Sequence, residues 1–507
     1  MHVNPHARRR LLALVGSAAI ALSSSPFVAV TVATASEIHP AVKDFQFVKS
    51  GVTPPTEADC EAVARTCFTP QAVQSAYNVG PLYEQGLDGR GVTIGIVDSW
   101  GSDTMAHDLH VFDQAFGIQP MCGEEGVTCT PGMPTFKQFH FQGAPATTAQ
   151  PGKGTHQEDK TLWALEVALD VEMSHAIAPR ANILLITVPT AETLGVQGFP
   201  LMMNAEQYVI DHGMVDVISQ SFASAEDAFG SSTSLQNLRH AYKSAAEAGV
   251  TVLGSSGDGG TANARKTPVG QGGSLIPEPT VEWPASDPLV TGVGGTYLCT
   301  DPTASTNDPR TTYVKPGIGA KCGSNTFNPG GIYSEVAWTF SGGGFSHVFS
   351  RPSYQDVLPA GSTAIPAEHR GVPDIAFQAS AATGALVYLS LPPDGDSGLL
   401  CPSGDPCSTG WYDIGGTSLS CPQWAGLVAI ADQLNGGGLG LINPALYDLA
   451  SNPATYAADF YDVHSGNTNQ ADPSVPGYPA GVGWDPVTGL GTPNAANLIP
   501  DLVAAAH

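Results

Sequence analysis

Ser418 closes the run Gly415-Gly416-Thr417 and opens the apolar stretch Gln423 to Leu434. A serine on a glycine turn at the head of a helix presents its hydroxyl with little obstruction and has helix N–H groups nearby. An ordinary helix-capping serine shares this pattern, so nucleophilic chemistry also needs a base. Glu166 and Asp170, in Glu-Val-Ala-Leu-Asp, are four residues apart. On a helix that spacing sets both carboxyls on one face, beside the packed stripe of Leu165, Leu169 and Met173. Like charges this close repel unless they share a proton. A buried pair with one raised pKa leaves a carboxylate able to accept the serine proton in acid. Two solvated acids on a surface helix are the bland alternative, and Glu172, pointing elsewhere on the helix, is expected in water. A further acid, Asp258, lies in Gly254-Ser-Ser-Gly-Asp258-Gly-Gly260. It suits a turn, or, when protonated, a hydrogen bond donated to a developing oxyanion.

Short β-rich runs at 91–97, 181–188, 215–219 and 249–254 alternate with amphipathic stretches near 161–175, 201–212 and 234–248. That alternation predicts an α/β fold whose mostly parallel sheet is flanked by helices and carries its chemistry at the strand ends. The chain has 58 glycines and 41 prolines, about a fifth of its 507 residues. The usual share is near 12%, so long loops are expected, with 262–330 read as one of them. With 20 Lys+Arg against 46 Asp+Glu, the formal charge is −26, which repels phosphate backbones and argues against nucleic acid as a partner.

Arg8-Arg9-Arg10, the apolar stretch Leu11 to Leu22 and Ala33-Thr34-Ala35 have the form of an export signal over residues 1–35. No later segment is long and apolar enough to span a bilayer. After signal cleavage the product is therefore expected to be secreted, extracellular and free of membrane. Of nine cysteines, Cys60/Cys67, Cys122/Cys129, Cys401/Cys407 and Cys299/Cys322 suit local bridges. Cys421 is left as a buried thiol. No His/Cys spacing resembles a zinc site.

From about residue 68 to 505 the chain resembles the sedolisins, or serine-carboxyl peptidases. The matching residues occur in the family's order: Thr69-Pro70 with Tyr77-Asn78-Val79, Trp283-Pro-Ala-Ser-Asp-Pro, Val293-Gly-Gly-Thr296, Ser341-Gly-Gly-Gly-Phe-Ser346, Arg370-Gly-Val-Pro-Asp374 and Asn443-Pro-Ala-Leu-Tyr447. The resemblance implies a subtilisin-like fold, with Ser418 as nucleophile, Glu166 as general base and acid, Asp170 orienting Glu166, and Asp258 as oxyanion acid. It also implies a C-terminal Ca²⁺ site built from Asp462, Val463, Gly481, Gly483 and Asp485, since hard oxygen ligands suit that ion. The expected activity is hydrolysis of proteins or peptides at acidic pH through an acyl-enzyme, by a monomer and as an endopeptidase. The alternatives are a subtilisin-type peptidase using Asp98, His156 and Ser418, and an inactive exported binding protein. His156 and His175 otherwise have polar or surface roles. The expected division is a signal peptide over 1–35, a short extension over 36–68 and the peptidase domain over 69–507. That extension is short beside the long prosegment usual in the family.

Overall fold

A computed structural model describes residues 44–142, 157–189, 198–266, 274–305, 335–391, 407–464 and 468–506, together with position 196 and the backbone at 39–40; nothing is assigned for side chains 157–160. The chain begins with strands β1 (His39–Pro40) and β2 (Asp44–Ser50) and the short helix α1 (Glu57–Ala62). Thr56 caps α1, its hydroxyl accepting the Asp59 N–H while Asp59 accepts the Thr56 N–H. Then follow β3 (Thr93–Ser99), α2 (Met105–Phe116), β4 (Phe136–His140), α3 (Gln157–Ile177), β5 (Asn182–Val188), α4 (Phe199–Asp211), β6 (Val217–Gln220), β7 (Phe222–Ala225), α5 (His240–Ala248) and β8 (Thr251–Ser255). The second half carries β9 (Glu282–Trp283), β10 (Thr291–Leu298), β11 (Glu335–Ala337), β12 (Ile375–Gln378), β13 (Ala385–Leu389), β14 (Gly410–Gly415), α6 (Thr417–Asn435), α7 (Asn443–Ser451), β15 (Phe460–Tyr461), β16 (Thr492–Pro493) and α8 (Ala495–Ala505).

The main sheet has eight strands in the order β11-β10-β8-β6-β3-β5-β4, with β12 also paired to β10. All its pairings are parallel except β10 with β11. Strands buried on both faces read as continuous apolar runs, which is why Thr93-Ile-Gly-Ile-Val and Asn182-Ile-Leu-Leu-Ile are uninterrupted by charge. The expected α/β, subtilisin-like architecture is the observed one. β10 is the departure, because it lies inside the stretch expected to be loop. Its Gly292, Gly294 and Gly295 are there for close packing: a Cβ on Gly295 would stand 2.4 Å from the Ala379 Cβ and 2.9 Å from the Trp338 ring. Glycine content that suggests a turn here admits neighbours on both faces of a central strand.

Two helices occupy the middle of the molecule. From Thr161 to Ala178 only Leu162 of α3 is more than slightly exposed, and α6 is buried without a break from Thr417 to Asp432. α3 lies between β3 and β13, and α6 runs beneath β6, β8, β10 and β12. Because α3 is covered on every side, Glu172 is not in water as expected. It is fully buried and accepts the Tyr388 N–H at 3.0 Å. His175 is likewise buried, its Nε2 3.0 Å from Asp113. Opposite the main sheet, β13, β14 and β2 form an antiparallel sheet, while β1, β7 and β9 form a smaller one.

Two of the sequence motifs meet around one buried ion pair. Arg370 lies 2.6 Å from Asp374, which also accepts hydrogen bonds from the Tyr447 hydroxyl, the Asn443 amide and the Gly292 N–H. Disulfides close Cys60–Cys67 and Cys122–Cys129. Cys299 and Cys407 are also disulfide-bonded, while Cys322 and Cys401 lie outside the described residues, as do the residues read as an export signal.

Candidate active site

β14 ends at Gly415, and Gly416, with φ 144°, turns the chain into α6. Only glycine adopts that conformation without strain. Ser418 is the second residue of the helix, so its N–H is among the first four, which have no partner within the helix. Thr417 fixes the turn from the other side. Its N–H and its hydroxyl donate to one oxygen of Asp258, at 2.7 and 2.9 Å, and its hydroxyl oxygen accepts the Gly257 N–H at 3.0 Å. The expected nucleophile and oxyanion acid are thereby joined through a residue that sequence analysis did not single out.

α3 brings Glu166 and Asp170, both fully buried, to the same place. One Asp170 oxygen accepts the Ser221 hydroxyl at 2.9 Å, and the other makes no hydrogen bond. The same is true of both Glu166 oxygens and the Ser418 hydroxyl. The Ser418 hydroxyl is nonetheless close enough to Glu166 to favour its ionised form, without a hydrogen bond of ordinary geometry. Burial dominates, and with the charges of Asp170, Asp98 and Asp258 it holds Glu166 well above the usual carboxyl range. Burial, then Asp98, does the same to Asp170.

Asp98, at the end of β3, is the third buried carboxyl of this cluster. Neither of its oxygens has a hydrogen-bond partner, and burial pushes it up to about 8. Buried polar atoms without partners are rare in native structures, and their concentration around one serine marks a place built for a proton, water or substrate. Asp98 was expected to matter only in the subtilisin-type alternative, as the partner of His156, which lies outside the described residues. Its position at a strand end was the available signal; its proximity to α3 was not. Cys421, the residue expected to be an inert thiol, accepts the Ser219 hydroxyl at 3.4 Å and is pushed up to about 12 by burial.

The distance between Ser418 and the two acids depends on how closely α6 approaches α3. Ser174 donates to the Pro422 carbonyl at 3.3 Å. A Cβ on Gly426 would stand 2.7 Å from the Ile177 Cβ and 3.2 Å from the Ser174 carbonyl. Gly426→Val is therefore expected to push the helices apart, costing about 1–3 kcal/mol of stability, measurable by chemical denaturation. Activity should fall further than stability alone explains, because the acid helix moves away from Ser418.

A second cluster lies near the C-terminus. Asp462 follows β15, and its Oδ2 accepts the Gly483 N–H at 3.1 Å. Asp485 is buried and accepts the Gly481 N–H at 3.2 Å and the Thr488 hydroxyl at 2.9 Å. Thr488 also reaches the Val463 carbonyl at 3.5 Å. All five residues expected around Ca²⁺ are thus drawn together. The other Asp462 oxygen is buried without a partner, and the donors are exclusively oxygen, so the set fits a hard divalent cation.

The sequence pattern of the subtilase family matches residues 146–459. Kumamolisin from Bacillus sp. (strain MN-32) is 29% identical over 458 residues, covering 89% of this chain and 66% of the relative. Sedolisin from Pseudomonas sp. (strain 101) is 31% identical over 297 residues, covering 59% of this chain and 42% of the relative. The chain therefore spans about two thirds of kumamolisin's length and under half of sedolisin's. Among solved structures, Pseudomonas sedolisin, a serine-carboxyl proteinase complexed with two molecules of pseudo-iodotyrostatin, superposes with a TM-score of 0.59 at 25% identity, covering 86% of this chain and 98% of that one. With the family pattern matched over more than half of its length, the chain belongs to the subtilase family, in which its sequence and structural relatives include sedolisin.

Proposed function

We propose that the protein is a secreted serine-carboxyl peptidase, working at acidic pH on proteins or peptides through Ser418, Glu166, Asp170 and Asp258. The observation that carries this reading is the burial of Ser418 beside Glu166, with Asp170, Asp98 and Asp258 all acting on that one carboxyl. Glu166 takes the Ser418 proton as Oγ attacks the peptide carbonyl, then returns it to the leaving amine. Asp170, held by Ser221, keeps its second oxygen for Glu166. One Asp258 oxygen already accepts two hydrogen bonds from Thr417, so its acidic proton belongs on the other, where it can donate to the oxyanion beside the Ser418 N–H. Water then releases the acyl group. A carboxyl that must donate and a carboxyl pair that shares a proton both require acid. Digestion of a denatured protein substrate from about pH 3 to 8 tests this: cleavage confined to the acid side supports it, and a maximum above neutral overturns it.

Residues 1–35 serve as the export signal in this reading, which the local disulfides favour. Asp462, Asp485 and the carbonyls of Val463, Gly481 and Gly483 would hold Ca²⁺, whose charge offsets two acids brought together by separate loops. Chelation is expected to lower the melting temperature, and excess Ca²⁺ to restore it. The same melting temperature in chelator and in Ca²⁺ would count against a metal role for the cluster.

A further inference from the structure

Residues 44–68 precede the motifs that carry the resemblance to the sedolisins, where a leader could be lost without consequence. Their place in the fold is different. β2 pairs along the whole of β14, from Ser50 opposite Gly410 to Asp44 opposite Gly415, and three residues beyond Gly415 stands Ser418. β14 has β13 on its other side, so β2 alone makes it an inner strand. The two backbones are close: a Cβ on Gly410 would stand 2.2 Å from the Lys49 carbonyl oxygen.

The rest of the segment braces this pairing. Arg65 lies 2.8 Å from Asp44 and 4.0 Å from Asp413, a buried acid on β14 neither of whose oxygens has a hydrogen-bond partner. The Cys60–Cys67 disulfide closes the turn that carries Arg65. Thr66 and Phe68 donate their N–H groups to the carbonyls of Ala382 and Gly384, at the foot of β13. Lys49 on β2 is bonded to Asp59 on α1 at 3.1 Å. Upstream of β2 the chain leaves β14 altogether, since β1 pairs with β7. A chain end before Asp44 therefore leaves the brace intact, whereas one after Ser50 exposes β14 as an edge.

We propose that residues 44–68 are a retained positioning segment, which holds the strand leading into Ser418 in register, and that any trimming of the N-terminus stops before Asp44. The kinetic part of this inference rests on Ser418 being the nucleophile. The test is a full chain carrying a recognition site for a specific protease in the exposed loop 51–56, cut and then stripped of β2 by gel filtration in mild denaturant. A synthetic peptide of residues 41–50 serves as the probe. The cut but unstripped protein should match the parent. Stripping should lower kcat by about 10- to 100-fold with KM changed little, because misplacing a reacting group by an ångström has effects of that size; the peptide should restore kcat. Unchanged kcat after stripping overturns the proposal.

If stripping unfolds the chain, Arg65→Ala gives the same information in the intact protein. It should lower kcat, and Arg65→Ala with Asp413→Asn should recover much of the loss by removing the stranded buried acid. No recovery, or no loss, counts against the brace. Mass spectrometry of the purified secreted protein decides the boundary without any activity. An N-terminus before Asp44 supports retention and one after Ser50 overturns it, even if the intact chain cleaves nothing and the peptidase reading itself falls.

Discussion

Ser418→Ala is expected to lower kcat on a peptide substrate by about 10⁴-fold or more, with KM little affected, because the hydroxyl makes its decisive bond only in the transition state. Glu166→Gln should come close to the same loss. Glutamine keeps the shape and one acceptor oxygen but cannot take the serine proton, and nothing else touching Ser418 is placed to do so among the described residues. Combining the two changes should add little to either alone, as for groups that act as a unit. Asp170→Asn should cost less, since the amide can still accept from Ser221 while losing the shared proton. The measurement is steady-state kinetics across pH with each variant folded to the wild-type melting temperature. Glu166→Gln retaining full activity above neutral, with Ser418→Ala dead, would transfer the role of base to Asp98 with His156.

The parts of this site that were legible in the sequence are those fixed by local geometry. A spacing of four on a helix puts Glu166 and Asp170 on one face wherever that helix is packed, and glycines ahead of Ser418 specify a turn into a helix. The parts that were not legible depend on tertiary packing. Asp98 joins Glu166 and Asp170 only because β3 lies against α3, and Ser221 reaches Asp170 only because β6 neighbours β3 in the sheet. Glu172 follows the same logic in reverse. Amphipathic periodicity assigns a wet face to every helix, but α3 has β13 where that face would meet water, so an acid expected in solvent is buried against Tyr388. β10 was missed because its glycines signal turns in isolation and close strand packing in context. β2 carries no motif, and its importance comes from its partner, which happens to be the strand that ends at the nucleophile.

The same buried acids are expected to make the protein more stable in acid than near neutrality, contrary to most globular proteins. Asp98 is raised from 3.8 to about 8, and Glu166 and Asp170 are also held high, in each case chiefly by burial. Asp108, at about 6, and Asp432, at about 8, add to the effect away from the site. Between the unfolded and folded values the native state binds more protons than the unfolded chain, so stability falls as pH rises through that window. It is fully present below about pH 4 and is lost progressively towards pH 8. Asp227, whose pKa is lowered by its bond to His347, works in the opposite sense only as pH falls below the ordinary carboxyl range. A shift from 3.8 to about 8 corresponds to roughly 6 kcal/mol, shared among the three interacting carboxyls. In a protein of this size that is a melting temperature higher at pH 4 than at pH 8 by about 5–10 °C. Asp98→Asn should raise the melting temperature at pH 8, leave it nearly unchanged at pH 4, and so shrink the difference. Calorimetry at the two pH values with Ca²⁺ in excess is the measurement; a wild type that melts higher at pH 8 would mean the three carboxyls ionise within the fold without cost, and the proton that Glu166 is proposed to share would have no reason to remain in the site.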